Sequence, residues 1–274
     1  AATWAEGLMT RVPFDLPFGI IRERIDEIVL VSEEEMRQAV RFLLEAAHLL
    51  AEPAGAAPAA AAPSEKLGDG VYLILGGYAS LALEFKDYIV IVESPNSEDR
   101  ALAIFAEAKR LIPNKPIRYV MNTHPHSDHT GGLPALVAEG ATIITQANNK
   151  EFFERALNTP RTLLDDVLAK NPKRAKVETV DEKRVYSDGT RTVEFYHIYP
   201  APHSNGLLIA YLPKEKVIFQ GDFSVNPGQP ANDHVRALVP ALEKLKLTDF
   251  DRYINVHVSA EAQHKADVWK AMGR

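Results

Sequence analysis

Three histidines and one aspartate fall within six consecutive residues, His124 to His129. They follow the apolar segment Ile117 to Met121, which has the composition of a buried strand. Imidazole nitrogens and carboxylate oxygens that leave water need a partner to compensate for their lost hydration. Zinc is the natural partner when thiolate is absent, and this chain has no cysteine. The pattern therefore predicts a metal site.

The spacing within this run predicts two metal ions. His124 and His126 alternate out of an extended loop, so both rings can reach one ion. Asp128 and His129 are displaced along the following turn and point toward a second ion. Because one ion needs at least three protein ligands, we expect further ligands downstream.

Three later residues are candidates, and each follows a segment with the pattern of a strand. His203 comes after Thr192–Ile198, Asp222 ends an apolar run that begins at Val217, and His257 ends a third such run. The sheets of α/β proteins gather their functional loops at the carboxyl ends of strands. We therefore expect these three side chains to meet the histidine-rich run.

The ordered set His-x-His-x-Asp-His, then His, Asp and His, resembles the metallo-β-lactamase-fold hydrolase superfamily over residues 64–274. The resemblance implies an α/β protein, a four-layer αβ/βα sandwich of the metallo-β-lactamase type, here with a short N-terminal strand-helix appendage. It also implies that the Asp222 carboxylate bridges two metals. The other implied ligands are His124, His126 and His203 for the first metal, and Asp128, His129 and His257 for the second.

Two residues depart from the family pattern. Val258 follows His257 where the family usually has glycine, so His264, within a predicted terminal helix from Glu261 to Met272, is the reserve ligand. Glu93 closes an early core strand at a position where the family commonly has aspartate.

The resemblance implies a dinuclear zinc hydrolase in which a metal-bridging hydroxide attacks a small ester-type substrate. Iron or manganese at these positions would not contradict the sequence. We expect a phosphotriester, a lactone or an aryl ester, with broad tolerance. A β-lactamase is the alternative. It comes second because true β-lactamases usually lack a bridging carboxylate such as Asp222. A non-catalytic scaffold with structural metals is the alternative from another class.

We assign roles to single residues near the ligands from their residue type and their position in the sequence. Asp128 is the catalytic candidate, because its carboxylate can orient the hydroxide or pass its proton onward. Tyr78 and Asn205 are candidate substrate contacts. His197 and His234 have no ligand partner by spacing, and we interpret both as structural.

Composition predicts a soluble protein that binds a small molecule. The formal net charge is −6 and no block of lysine or arginine stands out, so neither nucleic acid nor a membrane surface is an expected partner. No apolar run approaches the length of a membrane span, and the first residues do not have the pattern of a signal peptide. A cytoplasmic location is the default expectation.

The first fifty residues predict a different origin. A capping box at Ser32–Glu35 precedes an apolar stripe from Met36 to Leu50, and the Ala/Pro-rich segment 51–63 reads as a linker to the hydrolase domain at 64–274. Asp15–Phe18, with Asp26–Glu35 and the start of that linker, resembles pyridoxal-phosphate-dependent threonine/serine dehydratases. The lysine motif and poly-Gly loop of that family are not found, so we expect no pyridoxal phosphate. The chain reads as a chimera whose N-terminal helix docks on the hydrolase domain or pairs in a homo-oligomer, and a disordered appendage is the competing hypothesis.

Overall fold

The structure is a computed structural model that describes residues 64–224 except 77 and 164, residues 233–257, 263–264 and 269–270, and, before these, residues 5, 33, 36, 37, 39, 40, 44, 52 and 54. The chain divides into two compact units, Ala1–Ala62 and Pro63–Arg274. Of the predicted linker at 51–63, only Glu52 and Ala54 are described, and Ala54 is helical. Among the described residues, no helix combines the length and apolar content needed to cross a bilayer.

The first unit contains helical residues where the amphipathic pattern predicts a helix. The described helical positions are Glu33, Met36, Arg37, Ala39, Val40 and Leu44. Met36 is buried and packs with Ala5 and Ala54, whereas Leu44, on the predicted apolar stripe, is 47% exposed. The strand of the predicted strand-helix appendage, at Ile28–Val31, lies outside the described residues.

Seven strands of the second unit form one sheet in the order of the chain. They are β1 (Ser64–Gly68), β2 (Val71–Ile74), β3 (Ser80–Glu84), β4 (Ile89–Val92), β5 (Ile117–Met121), β6 (Thr142–Gln146) and β7 (Lys176–Val180). Neighbours from β1 to β4 are antiparallel, and neighbours from β4 to β7 are parallel. All four residues of β4 are buried, and its run of β-branched side chains is typical of a strand covered on both faces.

Helices connect the parallel strands of this sheet. They are α1 (Glu98–Leu111), α2 (Ser127–Thr130), α3 (Leu133–Glu139), α4 (Lys150–Asn158) and α5 (Val167–Lys170), with a 3-10 turn at Ala147–Asn149. Ser97 caps α1, and its hydroxyl accepts a hydrogen bond from the Arg100 amide at 3.3 Å. The chain is not helical around Pro160, which leaves α4 and α5 as separate helices.

A second sheet contains the remaining described strands in the order β13-β12-β11-β10-β9-β8. Their ranges are β8 (Lys183–Ser187), β9 (Thr192–Ile198), β10 (Leu207–Leu212), β11 (Val217–Gln220), β12 (Arg252–Asn255) and β13 (Gln263–His264). Only β11 and β12 are parallel, and α6 (Asp233–Lys244) lies between them in the chain.

The predicted terminal helix is wrong at two positions. Gln263 and His264 form β13, which pairs with Tyr253 and Arg252 of β12, while helical conformation is described at Trp269 and Lys270. The edge of β12 presents unpaired backbone groups, and pairing with them outweighs the helical preference of the local sequence.

Two apolar cores hold the layers together. Leu81 and Val90 of the first sheet pack with Phe195 and Phe219 of the second in the central core. The other face of the second sheet packs on α6 in a further core that includes Leu238. Because α1, α3 and α4 contact the first sheet, the layers run helix, sheet, sheet, helix. The four-layer αβ/βα sandwich is confirmed.

Candidate metal centre

The histidine-rich run leaves the carboxyl end of β5 and is held there by Glu93, the residue after β4. Glu93 is fully buried, and its carboxylate accepts hydrogen bonds from the Thr123 amide at 3.2 Å and from Asn122 Nδ2 at 3.2 Å. The same Asn122 amide group donates to the carbonyl of His129 at 3.0 Å. These bonds satisfy buried polar groups at the start and the end of the run and so fix the loop between them.

The two glycines that close the run allow this loop to approach the segment after β4. A Cβ atom at Gly131 would overlap the carbonyl oxygen of Asn96, and one at Gly132 would lie 2.5 Å from Ser94 Oγ. Neither glycine has a positive φ, so close approach rather than backbone freedom requires them.

One group of donor atoms gathers around His124, whose ring is fully buried. His124 Nε2 lies 3.0 Å from His126 Nδ1 and 3.1 Å from His203 Nε2. Asp222 Oδ2 lies 2.9 Å from His124 Nε2 and 2.7 Å from His203 Nε2. We call these four residues the first donor set.

A second group gathers beside it. His129 Nε2 lies 3.2 Å from His257 Nε2, and Asp222 Oδ1 lies 3.3 Å from the first of these nitrogens and 2.5 Å from the second. Asp128 Oδ2 is 3.4 Å from His129 Nε2 and 3.5 Å from His257 Nε2. We call these four residues the second donor set. Within each set, all ligand atoms lie within 4.8 Å of one another.

The donor sets fit divalent metal ions. A tetrahedral ion with metal–nitrogen bonds of about 2.0–2.1 Å separates its ligands by about 3.3–3.4 Å, close to the distances seen here. Asp222 Oδ2 is buried and has no partner with hydrogen-bond geometry among the described residues, although two ring nitrogens lie within 3 Å of it. A buried carboxylate oxygen in that situation would be compensated by a bound metal ion.

The charges of the metal-free chain differ between the two sets. Burial lowers the pKa of His124 and of His203, so both rings are neutral and ready to bind a metal at neutral pH. Burial alone would also lower the pKa of His129, but hydrogen bonds with Asp222 and Glu93 raise it to about 10. Burial alone would raise the pKa of Asp222, yet contacts with three imidazoles keep it far below its usual range.

Contacts behind the ligands orient their rings. Thr123 Oγ1 lies 3.0 Å from His124 Nδ1, and Glu93 Oε2 lies 3.4 Å from His129 Nδ1. Such outer contacts fix which ring nitrogen faces a metal. The sequence identifies Glu93 only as a departure from a family pattern. Its contact with His129 could not be predicted, because the distance between them depends on the packing of β4 beside β5.

The two candidate substrate contacts, Tyr78 and Asn205, have different surroundings. The Tyr78 ring packs against the His257 ring, with centroids 5.1 Å apart. The carbonyl of Asn205 accepts hydrogen bonds from His197 Nε2 at 2.9 Å and from Asn148 Nδ2 at 3.2 Å, so both groups tie down the loop after His203.

His234 lies closer to the donor sets than its place in the sequence suggested. Its ring stands edge-on to His203 with centroids 5.1 Å apart, and its Nδ1 is buried without a hydrogen-bond partner among the described residues. The signal in the sequence was its position in the first turn of a helix that follows the Asp222 loop. His264 lies in β13, and His257 is the residue whose ring enters the second donor set.

Comparison with known proteins agrees with this geometry. The family model described as metallo-beta-lactamase superfamily matches residues 78–260, and the chain therefore belongs to that superfamily. Solved structures of similar fold are the DIM-1 metallo-beta-lactamase (TM-score 0.57, 18% identity, 77% of this chain and 95% of that one) and those from Pontibacter korlensis (0.57, 17%, 77% and 97%) and Hirschia baltica (0.54, 21%, 76% and 95%). Membership and the two donor sets together support a metal-dependent hydrolase.

The N-terminal resemblance is also confirmed. A model for pyridoxal-phosphate dependent enzymes matches residues 1–77. The L-threonine ammonia-lyase of Thermotoga maritima is 39% identical over 192 residues, covering 67% of this chain and 39% of that protein. That of Geobacter sulfurreducens is 39% identical over 95 residues, covering 33% of this chain and 23% of that protein. The chain thus spans well under half the length of these curated relatives.

Proposed function

We propose that this chain is a dinuclear zinc hydrolase that acts on a small ester-type substrate, namely a phosphotriester, a lactone or an aryl ester. The observation that supports it most is that Asp222 offers one carboxylate oxygen to each donor set. A carboxylate shared in this way holds two ions a few ångströms apart, which is the spacing of two-metal hydrolytic sites.

Zinc is the ion that best matches the ligand types. Imidazole nitrogens and carboxylate oxygens make up both sets, and no thiolate is present in the chain. His124, His126 and His203 would hold the first ion, Asp128, His129 and His257 the second, and Asp222 both. When bound, the ions would supply a water of lowered pKa and positive charge to stabilise a developing oxyanion.

Protein groups complete the chemistry. The side chain of Asp128 is 40% exposed, against 15% for Asp222, so Asp128 is the carboxylate that entering water and substrate can reach. It would orient the attacking water and accept its proton. The Tyr78 ring beside His257 would contact the substrate on the side of the second set, and Asn205 would contact it beyond His203.

A β-lactamase is the second candidate. The solved structures of similar fold are metallo-beta-lactamases, although at 17–21% identity they establish the fold alone. A bridging carboxylate favours ester-type substrates over β-lactams in our proposal. A metal-binding scaffold without turnover is the candidate of another class.

The test is hydrolysis of four chromogenic probes by the zinc-loaded chain: an aryl ester, a lactone, a phosphotriester and a β-lactam. A chelated sample and the same sample with zinc restored are run in parallel. We expect turnover of an ester-type probe that disappears on chelation and returns with zinc. Turnover of the β-lactam alone would favour the second candidate, and a zinc-loaded chain inert toward all four would favour the scaffold.

A further inference from the structure

Arg100 is a buried cation that has no anionic partner among the described residues. It lies in the first turn of α1 and is 9% exposed. Among the described residues, no carboxylate lies within ion-pair distance of its guanidinium, and its buried Nε has no hydrogen-bond partner. Burial lowers the pKa of Arg100 to about 10. Burying an unpaired charge costs free energy, and the remaining contacts of Arg100 must offset that cost.

Among the described residues, its side-chain hydrogen bonds go to the last residue of β2 and to the loop between β2 and β3. Arg100 Nη2 donates to the carbonyl of Tyr78 at 2.7 Å and to the carbonyl of Ile74 at 3.2 Å. Between these residues, Gly76 has a φ of +136°, and a Cβ atom there would lie 2.5 Å from Arg100 Nη1. The backbone at Gly76 therefore makes room for the guanidinium, and the carbonyls of Ile74 and Tyr78 are oriented by it.

The far side of this loop reaches the second donor set. The ring of Tyr78 packs at 59° against the ring of His257, and the next amide, that of Ala79, donates to the carbonyl of Val256 at 2.7 Å. His124 and His129 have a polar group beside Nδ1, but none is recorded at Nδ1 of His257 among the described residues. Besides the contacts of its Nε2 with Asp222, His129 and Asp128, the His257 ring packs against the ring of Tyr78.

We propose that Arg100 is a positioning residue: by holding the Tyr78 carbonyl it fixes the β2–β3 loop, and the Tyr78 ring then fixes His257 in the second donor set. The inference rests on the proposed function in one respect, because it needs an ion at the second set. It assigns Arg100 no contact with the substrate.

The test measures zinc affinity at each set by competition with a chromogenic chelator, using the full chain. Outer-shell partners of metal ligands typically alter metal affinity by about 10–100-fold, and we expect Arg100→Met to weaken the second ion by that amount while the first ion is unaffected. Arg100→Lys retains a donor and should restore part of the affinity. Arg110→Met is the matched control, because Arg110 lies on the same helix, is 60% exposed and pairs with Glu107.

Tyr78 variants separate positioning from general destabilisation. Tyr78→Ala should weaken the second ion as Arg100→Met does, whereas Tyr78→Phe keeps the ring and should not. The double variant Arg100→Met with Tyr78→Ala should be no weaker than either single variant, because both changes act through one contact. If Arg100→Met fails to fold, Arg100→Lys and the Tyr78 pair carry the same test.

The outcomes separate this inference from the proposed function. Unchanged second-ion affinity in Arg100→Met or in Tyr78→Ala, or fully additive losses in the double variant, would overturn the inference while two-metal hydrolysis stands. Two ions in the unmodified chain without hydrolysis of any probe would overturn the proposed function and leave the inference intact. A single ion in the unmodified chain would overturn both.

Discussion

Glu93 Oε2 lies 3.4 Å from Nδ1 of His129, and the opposite nitrogen of that ring belongs to the second donor set. Both side chains are fully buried. The carboxylate also accepts the Thr123 amide, so one residue at the end of β4 holds both the backbone of the loop and a ligand ring. A glutamate side chain reaches further than an aspartate side chain. At this position the longer side chain contacts both the Thr123 amide and the His129 ring.

The first prediction concerns this pair in the metal-free chain. The pKa of His129 rises from 6.5 to about 10, so the stability contributed by the charged ring is fully present below pH 6.5 and is lost as the pH rises through 10. Glu93→Gln removes one of the charges that sustain it. The loss in unfolding free energy caused by Glu93→Gln should therefore be largest at pH 6.5 and shrink toward pH 9.5, as measured by urea unfolding of chelated protein.

Glu84→Gln is the control for this titration. Glu84 pairs with Lys115 and touches no histidine among the described residues, so its substitution should cost the same unfolding free energy across that range. A loss of unfolding free energy in Glu93→Gln that stays constant or increases with pH would show that Glu93 does not sustain a charged His129.

The second prediction concerns Asp128. Asp128→Ala removes the exposed carboxylate of the second donor set, and we expect turnover to fall by about 100- to 10,000-fold, the range for a group that transfers protons. Circular dichroism should be unchanged, because the side chain is 40% exposed and lies outside the apolar cores. Turnover in Asp128→Ala equal to that of the unmodified chain would exclude a catalytic role.

The third prediction concerns Gly131, the first of the two glycines that close the histidine-rich run. Gly131→Ala would drive a methyl group into the Asn96 carbonyl, and forced overpacking of this kind costs about 1–3 kcal/mol. We expect a lower midpoint in thermal unfolding together with weaker zinc binding, because the loop that carries the ligands must shift. In Gly189→Ala, by contrast, the new Cβ would meet nothing within 4 Å, and the cost is confined to a positive φ of 84°. Weakened zinc binding in Gly189→Ala as well would attribute the effect to stability rather than to the loop.

The gathering of the donor residues could be predicted from sequence because these residues follow local patterns. His124, His203, Asp222 and His257 each come shortly after a segment with strand periodicity, and those segments are strands whose carboxyl ends meet. The choice between His257 and His264 was open, since it depended on where the last strands pair. β12 ends two residues before His257, and β13 returns beside it.

Other parts of the centre could not be predicted, for a physical reason. Arg100, Glu93 and His234 have ordinary sequence surroundings, and their relation to the ligands exists only as distances across packed elements. Arg100 reads as one more charged residue of an amphipathic helix, where a solvated side chain is the usual outcome. Its burial follows from the contact of α1 with β2, which local periodicity does not encode.

The most direct test of the two-metal account is the zinc content of the unmodified chain and of Asp222→Asn, measured by mass spectrometry after exhaustive dialysis. The account predicts two zinc ions per chain, and a marked loss in the variant, because one oxygen of Asp222 faces each donor set. One ion or none in the unmodified chain, or two retained by Asp222→Asn with unchanged affinity, would contradict it.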